Sequence, residues 1–230
     1  MSSGRFFVTG TDTGVGKTLI GAALLLNARA FGLRAVGLKP VSAGCSLVDG
    51  QWVNDDALLL QNYSSVRLDY PAINPVALEL AMAPHIAAHR AGVTLQAVPL
   101  VEAVNGVSKQ GHDVVLVEGA GGWFVPLNDR ETMADVATGL GYPVILVVAM
   151  RLGCLNHALL TVQAIEAAGL KLAGWVANSP GPTMEAFDDN LRTLEQRLPA
   201  LRLGSVPYLG ASATPEQVNT WLDGTTLFGA

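Results

Sequence analysis

Short apolar runs alternate along this chain with longer segments in which apolar residues recur at helical spacing. The runs Phe6–Thr9, Ala35–Leu38, Val114–Val117, Val144–Ala149, Leu172–Ala177 and Leu201–Val206 predict strands. The segments Lys17–Ala30, Asp55–Gln61, Pro84–Ala91, Leu95–Lys109, Met133–Leu140, Asn156–Ala168, Met184–Arg197 and Pro215–Leu222 predict helices. Val144-Ile145-Leu146-Val147-Val148 is apolar throughout, as a strand covered on both faces must be. Strands alternating with helices imply right-handed crossovers, hence a doubly wound α/β fold: a mostly parallel sheet with helices on both faces. Ligands of such sheets bind beyond the carboxyl ends of the strands. No internal repeat, low-complexity tract or linker interrupts the pattern, so residues 1–230 read as a single domain.

Composition narrows the classes. Half of the 230 residues are hydrophobic and 14% are charged, which suits a well-packed globular chain. The apolar runs are too short or too broken by glycine and polar residues to cross a membrane. The N-terminus carries no apolar signal segment, so a cytoplasmic location is expected. A net charge of −5 and the lack of a basic stripe argue against nucleic acid as the main partner. Cys45 and Cys154 form no metal-ligand or redox spacing. His85 and His89 lie four apart on a predicted helix, but the run His85-Ile86-Ala87-Ala88-His89 lacks the glutamate of a zinc-protease motif. They read as partly exposed helix residues rather than a metal pair.

The richest segment is Gly10-Thr11-Asp12-Thr13-Gly14-Val15-Gly16-Lys17-Thr18. A β-prone run, Arg5-Phe6-Phe7-Val8-Thr9, feeds it, and a helix opens from its end. Strand, glycine-rich loop and helix in that order make a phosphate-binding loop, as in P-loop nucleoside triphosphate hydrolases. Loop amides converge on phosphate oxygens and the helix N-terminus adds partial positive charge. Lys17 would neutralise the β- and γ-phosphates, and the Thr18 hydroxyl would ligate Mg²⁺. Five residues separate Gly10 from Gly16 where four are usual, and Thr11 stands in the place of the first glycine, which marks a variant loop class.

Further candidates lie at other predicted strand ends. Lys39 follows a strand and precedes Pro40, which holds it extended. It either snorkels to solvent or faces the same crevice as Lys17, where two ammonium groups would suit anionic chemistry. In Asn54-Asp55-Asp56-Ala57, one aspartate can cap the helix and the second can complete a Mg²⁺ site; spacing does not separate these roles. Asp113-Val114-Val115-Leu116-Val117-Glu118 is an apolar strand ending in a carboxylate, as opposite a phosphate loop, which makes Glu118 a metal ligand or a positioning group. Gly119, Gly121 and Gly122 then either allow close approach of substrate to backbone or make a tight turn that needs glycine. Leu152-Gly153-Cys154-Leu155-Asn156-His157 is either an anion site at a helix start or a plain helix start. Asn178 ends a strand, where its amide can pair with the N6 and N7 edge of adenine. Ser179-Pro180-Gly181 lacks the aspartate that a guanine site would add, which favours ATP over GTP.

Together these residues resemble the dethiobiotin synthetase family, the ATP-dependent carboxylases of biotin synthesis. The resemblance runs from residue 5 to about residue 209, through Val8–Thr18, Lys39-Pro40-Val41, Asp56-Ala57-Leu58, Pro84-His85-Ile86-Ala87, Val117–Trp123, Leu152–His157 and Gly174–Asn178. The phosphate loop is shared with many relatives; its combination with the Trp123 and Cys154 segments is far more specific. The resemblance implies a homodimer whose site is shared across the interface, with ATP and Mg²⁺ and with 7,8-diaminopelargonic acid and CO₂ as substrates. It implies ATP contacts at Gly14-Val15-Gly16-Lys17-Thr18-Leu19, Asp56, Glu118-Gly119-Ala120-Gly121, Asn178 and Pro207-Tyr208-Leu209. Mg²⁺ would be held by Thr18, Asp56 and Glu118. Lys17 and Lys39 would be catalytic, Lys39 over the carbamate and the transferring phosphoryl group. Thr11, Ser42, Ala43, Gly122, Leu152, Gly153, Cys154 and Asn156 would contact the diamine substrate. The chain departs from family patterns in having Ala43 where some members carry serine, with Ser42 next door, and Gly14 where some carry glutamate. The segment from Met184 to Leu198 is only weakly similar.

Two other readings compete. An amide-forming synthetase of related type usually carries a glutamine-hydrolysing domain, for which 230 residues leave no room. A partitioning-type ATPase switch needs a basic surface or an amphipathic membrane helix; the segment Thr214–Leu222 carries no basic residue.

Overall fold

The computed structural model describes residues 4–229. From the N-terminus, β1 (Gly4–Gly10) leads through the glycine loop into α1 (Lys17–Ala30) and then β2 (Ala35–Leu38). An excursion follows, with three short strands, β3 (Val41–Ala43), β4 (Ser46–Val48) and β5 (Gln51–Val53), then α2 (Asp55–Tyr63), α3 (Tyr70–Ile73) and β6 (Val76–Leu78). Helices α4 (Pro84–Arg90) and α5 (Ala97–Ser108) return the chain to β7 (Val114–Gly122). The remainder alternates: α6 (Met133–Leu140), β8 (Val144–Ala149), α7 (Cys154–Ala167), β9 (Leu172–Asn178), α8 (Phe187–Arg197) and β10 (Arg202–Val206), closed by α9 (Pro215–Asn219) and α10 (Thr225–Phe228).

The main sheet has six strands in the order β10-β9-β8-β1-β7-β2, and every neighbouring pair is parallel. Strand alternation builds its two faces. Phe6 and Val8 of β1 pack with Ile20, Leu24 and Leu25 of α1, while Phe7 between them packs with Trp123, Met133 and Val136 on the other face. On β8, Ile145 and Val147 join the first face, and Leu146 and Val148 pack beneath α7 and α8. All six residues of β8 are buried, as its unbroken apolar run predicts. This is the doubly wound parallel fold. From β1 the chain crosses over β7's place to β2, returns to fill the gap, then builds outward from β8 on the opposite side. Ligand crevices form at such a reversal, beyond the carboxyl ends of β1 and β7. Among the described residues no helix is long and apolar enough to cross a membrane.

Several boundaries differ from the sequence expectation, each for a local reason. Strand β7 does not stop at Val117 but runs on to Gly122. It pairs Val8 with Glu118 and Gly10 with Gly122, with a register shift between them. Gly121, at φ 64°, sits within this irregularity, where a Cβ would come within 2.5 Å of Val125 Cγ2. The bulge brings the strand alongside the phosphate loop. Helix α7 begins at Cys154, two residues before the expected Asn156, because Gly153 takes a left-handed N-cap conformation at φ 96°. Helix α8 begins at Phe187 rather than Met184, since Ala186 is left-handed at φ 50°. The pairs β3–β6 and β4–β5 and the helices α3 and α10 were not expected; each is too short to show a period.

Candidate active site

The glycine loop closes over the end of β1 and delivers the start of α1. Gly16 is the N-cap of α1, left-handed at φ 92° and without a side-chain cap. A Cβ there would lie 2.4 Å from Asn178 Nδ2, so this position needs glycine for its conformation and for close approach. The first-turn amides of α1 therefore face the crevice without a capping side chain. Lys17, the first residue of α1, is buried, and its Nζ folds back to donate to the Asp12 carbonyl oxygen at 3.2 Å. Burial lowers its pKa below 10.5; Glu118 opposes that shift and Lys39 adds to it.

Lys39 arrives from the end of β2. Its ammonium is also buried and donates to Glu118 Oε1 at 2.6 Å and to Asp56 Oδ2 at 2.8 Å. It therefore faces the crevice rather than solvent. Burial works against its charge, but Glu118 and then Asp56 outweigh this and raise its pKa above 10.5. Asp56 shows the mirror image. Burial alone would raise its carboxyl, yet Lys39, by charge and hydrogen bond, then Thr18 and Lys17, hold it below 3.8. The Thr18 hydroxyl donates to Glu118 Oε1 at 2.9 Å. The structure thus brings Lys17, Thr18, Lys39, Asp56 and Glu118 from four elements into one cluster. The helix cap is a correction to the sequence expectation: Asn54, not an aspartate, caps α2, accepting from the Ala57 amide. Both Asp55 and Asp56 then lie in the first turn, and Asp56 points to the cluster.

Two adjoining cavities share Thr13, Lys39, Asp56 and Gly121. The first, about 410 Å³, is lined by the loop and by Lys17, Thr18, Leu19 and Glu118. The second, about 540 Å³, is more apolar; Ser42, Ala43, Met82, Pro84, Ala120 and Val125 line it. An ionic chamber thus opens into an apolar one at Lys39. A wider cleft of about 700 Å³ lies outside β10, between Phe187 and Trp221; it includes Pro207 but none of the cluster's charged residues.

The remaining expected residues fall in varied places. Asn178 Nδ2 donates to the Val15 carbonyl at 2.7 Å, tying the end of β9 to the loop and leaving its oxygen and second N–H for other partners. The Thr11 hydroxyl accepts from the Ala149 amide at 3.3 Å. Ser42 lines the apolar cavity, but its hydroxyl donates to Asn74 Oδ1 at 2.7 Å. Gly119 packs against Phe7, while Gly122 lies beside Gly10. Tyr208 and Leu209 follow β10 at the surface. Leu152, Gly153, Cys154 and Asn156 line neither cavity of the cluster. Cys154 turns its thiol into the core under α7, and burial raises its pKa. Its amide donates to Arg151 at 2.9 Å, so it is not a free donor. What this segment presents outward is Leu152, 94% exposed, and Arg151 paired with Asp12 of the loop. Of the ionic cavity's lining, Leu59 and Ala213 escaped the sequence reading, and Thr13 was read within the loop but given no role of its own. Its place beside the loop glycines could have suggested one; the other two carry no chemical signal.

Fold and cluster define a nucleotide-binding protein of the P-loop class. Solved structures agree on the fold. The signal recognition particle receptor FtsY of Elizabethkingia anophelis aligns with a TM-score of 0.54 at 16% identity, over 99% of this chain and 64% of that one. The cell division protein MinD of Aquifex aeolicus aligns at 0.54 and 14% identity, over 89% of this chain and 81% of its own. A family model described as an AAA domain matches residues 4–216. Among curated relatives, the ATP-dependent dethiobiotin synthetase of Pseudomonas paraeruginosa is 52% identical over 218 residues, 95% of each chain. That of Cellvibrio japonicus is 50% identical over 230 residues, the full length of both. The chain belongs to the dethiobiotin synthetase family.

Proposed function

We propose that this chain catalyses the reaction its relatives are named for, forming dethiobiotin from 7,8-diaminopelargonic acid, CO₂ and ATP. One amine takes up CO₂ as a carbamate and releases a proton. A carbamate oxygen attacks the γ-phosphorus of ATP, giving a carbamic–phosphoric anhydride and ADP. The second amine attacks the anhydride carbon, loses its proton and expels phosphate as the cyclic urea closes. No step needs a nucleophile from the protein; positioning and charge neutralisation carry the chemistry.

The observation that carries this reading is buried Lys39 at the junction of an ionic and an apolar cavity, with a second buried lysine, Lys17, in the ionic one. The loop amides, Lys17 and the N-terminus of α1 would hold the phosphates in the ionic chamber, with Asn178 and the Pro207–Leu209 segment toward the base. The diamine chain would lie in the apolar chamber against Ser42, Ala43 and Val125, with its amines toward Lys39. Lys39 then stabilises the carbamate and the charge developing on the transferring group. Mg²⁺ fits at Thr18, Asp56 and Glu118, because Glu118 Oε2 is buried without a protein partner. Oxygen donors suit that ion, and among the described residues no cluster of three His, Cys, Asp or Glu offers a rival site. Bound there, it would neutralise phosphate charge.

The chain is read as one catalytic domain working in the cytoplasm as a homodimer. The exposed Leu152–Gly153 segment supports the dimer: it lies outside both cavities, yet Arg151 beside it is tied to the phosphate loop. A partner subunit would bring this segment to the substrate's distant carboxylate. Mixed dimers of Lys17→Ala and Gly153→Trp, each inactive alone, should then recover part of the activity. A fully active monomer would refute the shared site. Function itself is tested by mass spectrometry after incubation with the diamine, bicarbonate, ATP and Mg²⁺. Dethiobiotin formed in step with ADP is expected. ATP hydrolysis indifferent to the diamine and stimulated by DNA or lipid would favour the partitioning switch instead.

A further inference from the structure

Behind the charged cluster lies a second polar assembly, whose Asn74, Tyr70 and Asn54 have no part in the chemistry above. Asn74, just after α3, is 3% exposed. Its Nδ2 donates to the Lys39 carbonyl at 2.6 Å and the Val76 carbonyl at 3.1 Å. Its Oδ1 accepts from Ser42 Oγ at 2.7 Å and Tyr70 Oη at 2.9 Å. Carbonyls only accept, so the amide orientation is fixed, and both of its donors and both acceptor positions are in use. Tyr70 Oη accepts in turn from the Asn54 amide at 2.8 Å. Asn54 caps α2 through the Ala57 amide and reaches the Ala43 carbonyl at 3.3 Å.

These bonds begin and end at the cluster. Strand β2 ends at Leu38, so the backbone of Lys39 lies outside the main sheet ladder. Its amide donates to Ile73 at 2.9 Å and its carbonyl accepts from Asn74, so both main-chain groups rest on the end of α3. Asp56 is fixed through the cap of its helix. The path runs from the Lys39 backbone through Asn74, Tyr70 and Asn54 to Asp56, and returns through the Lys39–Asp56 ion pair. Ser42 and Asn54 are buried as well, so a polar group of this network that loses its partner carries a desolvation cost.

We propose that Asn74 and Tyr70 are positioning residues, which set where Lys39 stands relative to Asp56 and Glu118. The proposal rests on the catalytic reading of Lys39 given above. The side-chain hydrogen bonds of Asn74 reach Lys39, Val76, Ser42 and Tyr70, none of them in the phosphate loop. Loss of the contact should move Lys39 and leave nucleotide binding intact.

Asn74→Asp keeps the shape and removes the donor to Lys39; Tyr70→Phe removes the hydroxyl that joins Asn74 to Asn54 and leaves the Asn74–Lys39 bond in place. Each is made alone and on a Lys39→Ala background, with Tm, kcat and ATP affinity measured. Misplacement of a reacting group by about 1 Å costs up to about 100-fold, so kcat should fall roughly 10- to 100-fold in Asn74→Asp, and less in Tyr70→Phe. ATP affinity should stay within about twofold, and on the Lys39→Ala background either change should lower kcat by no more than about twofold further. The ammonium resonance of Lys39 in ¹⁵N-lysine-labelled, ligand-free protein should shift in both variants. A folded Asn74→Asp with wild-type kcat, full multiplication of the two losses, or ATP affinity falling in step with kcat would overturn the proposal. Should Asn74→Asp fail to fold, Tyr70→Phe is judged by the same criteria. If Lys39→Ala itself keeps wild-type kcat, the catalytic reading of Lys39 fails, and the resonance still decides whether Asn74 positions it.

Discussion

Lys17 and Lys39 face one cavity and are prepared in opposite ways. Lys17 stands on a loop of main-chain donors, leans on a single carbonyl and is held less basic than a free lysine by burial. Lys39 stands on a side-chain network, binds two carboxylates and is held more basic. Among the described residues the first makes no close ion pair, although Glu118, Asp56 and Asp12 favour its charge from further off. The second is already neutralised and fixed in place. The difference teaches that one crevice can separate binding from chemistry by how each charge is supported. A lysine without a close ion pair contributes to ground-state affinity, while a fixed one is ready for charge that appears only during reaction.

Substitution of the two lysines should separate their roles by the widest margin. Lys17→Ala should abolish measurable turnover, a loss of about 1,000-fold or more, and weaken ATP binding at least tenfold by calorimetry, since the loop loses its only side-chain cation. Lys39→Ala should lower kcat by about 100- to 1,000-fold while ATP affinity changes by no more than about twofold. Equal losses of affinity in both would erase the division of labour. An unchanged kcat in Lys39→Ala would reduce that lysine to a structural ion pair.

The ion pair that supports Lys39 should also leave a smaller, pH-dependent mark on stability. The Asp56 carboxyl is held below 3.8 in the folded chain, chiefly by Lys39 once burial is overcome. A lowered acid pKa contributes stability that is fully present above the unfolded value and lost as pH falls through the folded value. In thermal melts, the stability gap between wild type and Asp56→Asn should therefore be complete above pH 3.8 and close below it. Because Asp56 is 49% exposed on its side chain, salt should shrink the gap. A gap that is flat through this range would show that the pair does not bias folding.

How much of this was legible in the sequence follows from the range of each interaction. The loop, α1 and the central strands were readable because glycine spacing and apolar period are local signals. Lys39 and Glu118 were readable as crevice candidates because the doubly wound topology gathers strand ends at one edge, whereas Asp56, in the first turn of α2, was separated from Asp55 only by the family resemblance. The extension of β7 was hidden, since Glu118-Gly119-Ala120-Gly121-Gly122 has poor strand propensity and is held by its neighbour β1. The cap of α2 was ambiguous because Asn54, Asp55 and Asp56 are all good capping residues. Asn74 was invisible: its partners Lys39, Ser42 and Tyr70 meet it only after folding, and a single Asn before Pro75 reads as a turn. The direction of Cys154 was equally hidden, because it depends on the left-handed Gly153.

If ATP serves to activate a carbamate, an oxygen atom must pass from bicarbonate to phosphate. The protein is incubated with the diamine, ATP, Mg²⁺ and ¹⁸O-labelled bicarbonate under conditions of rapid turnover, and phosphate and product are weighed by mass spectrometry. Ring closure by phosphate expulsion predicts one bicarbonate-derived oxygen in the released phosphate and one in the cyclic urea. Unlabelled phosphate released without diamine dependence would contradict it.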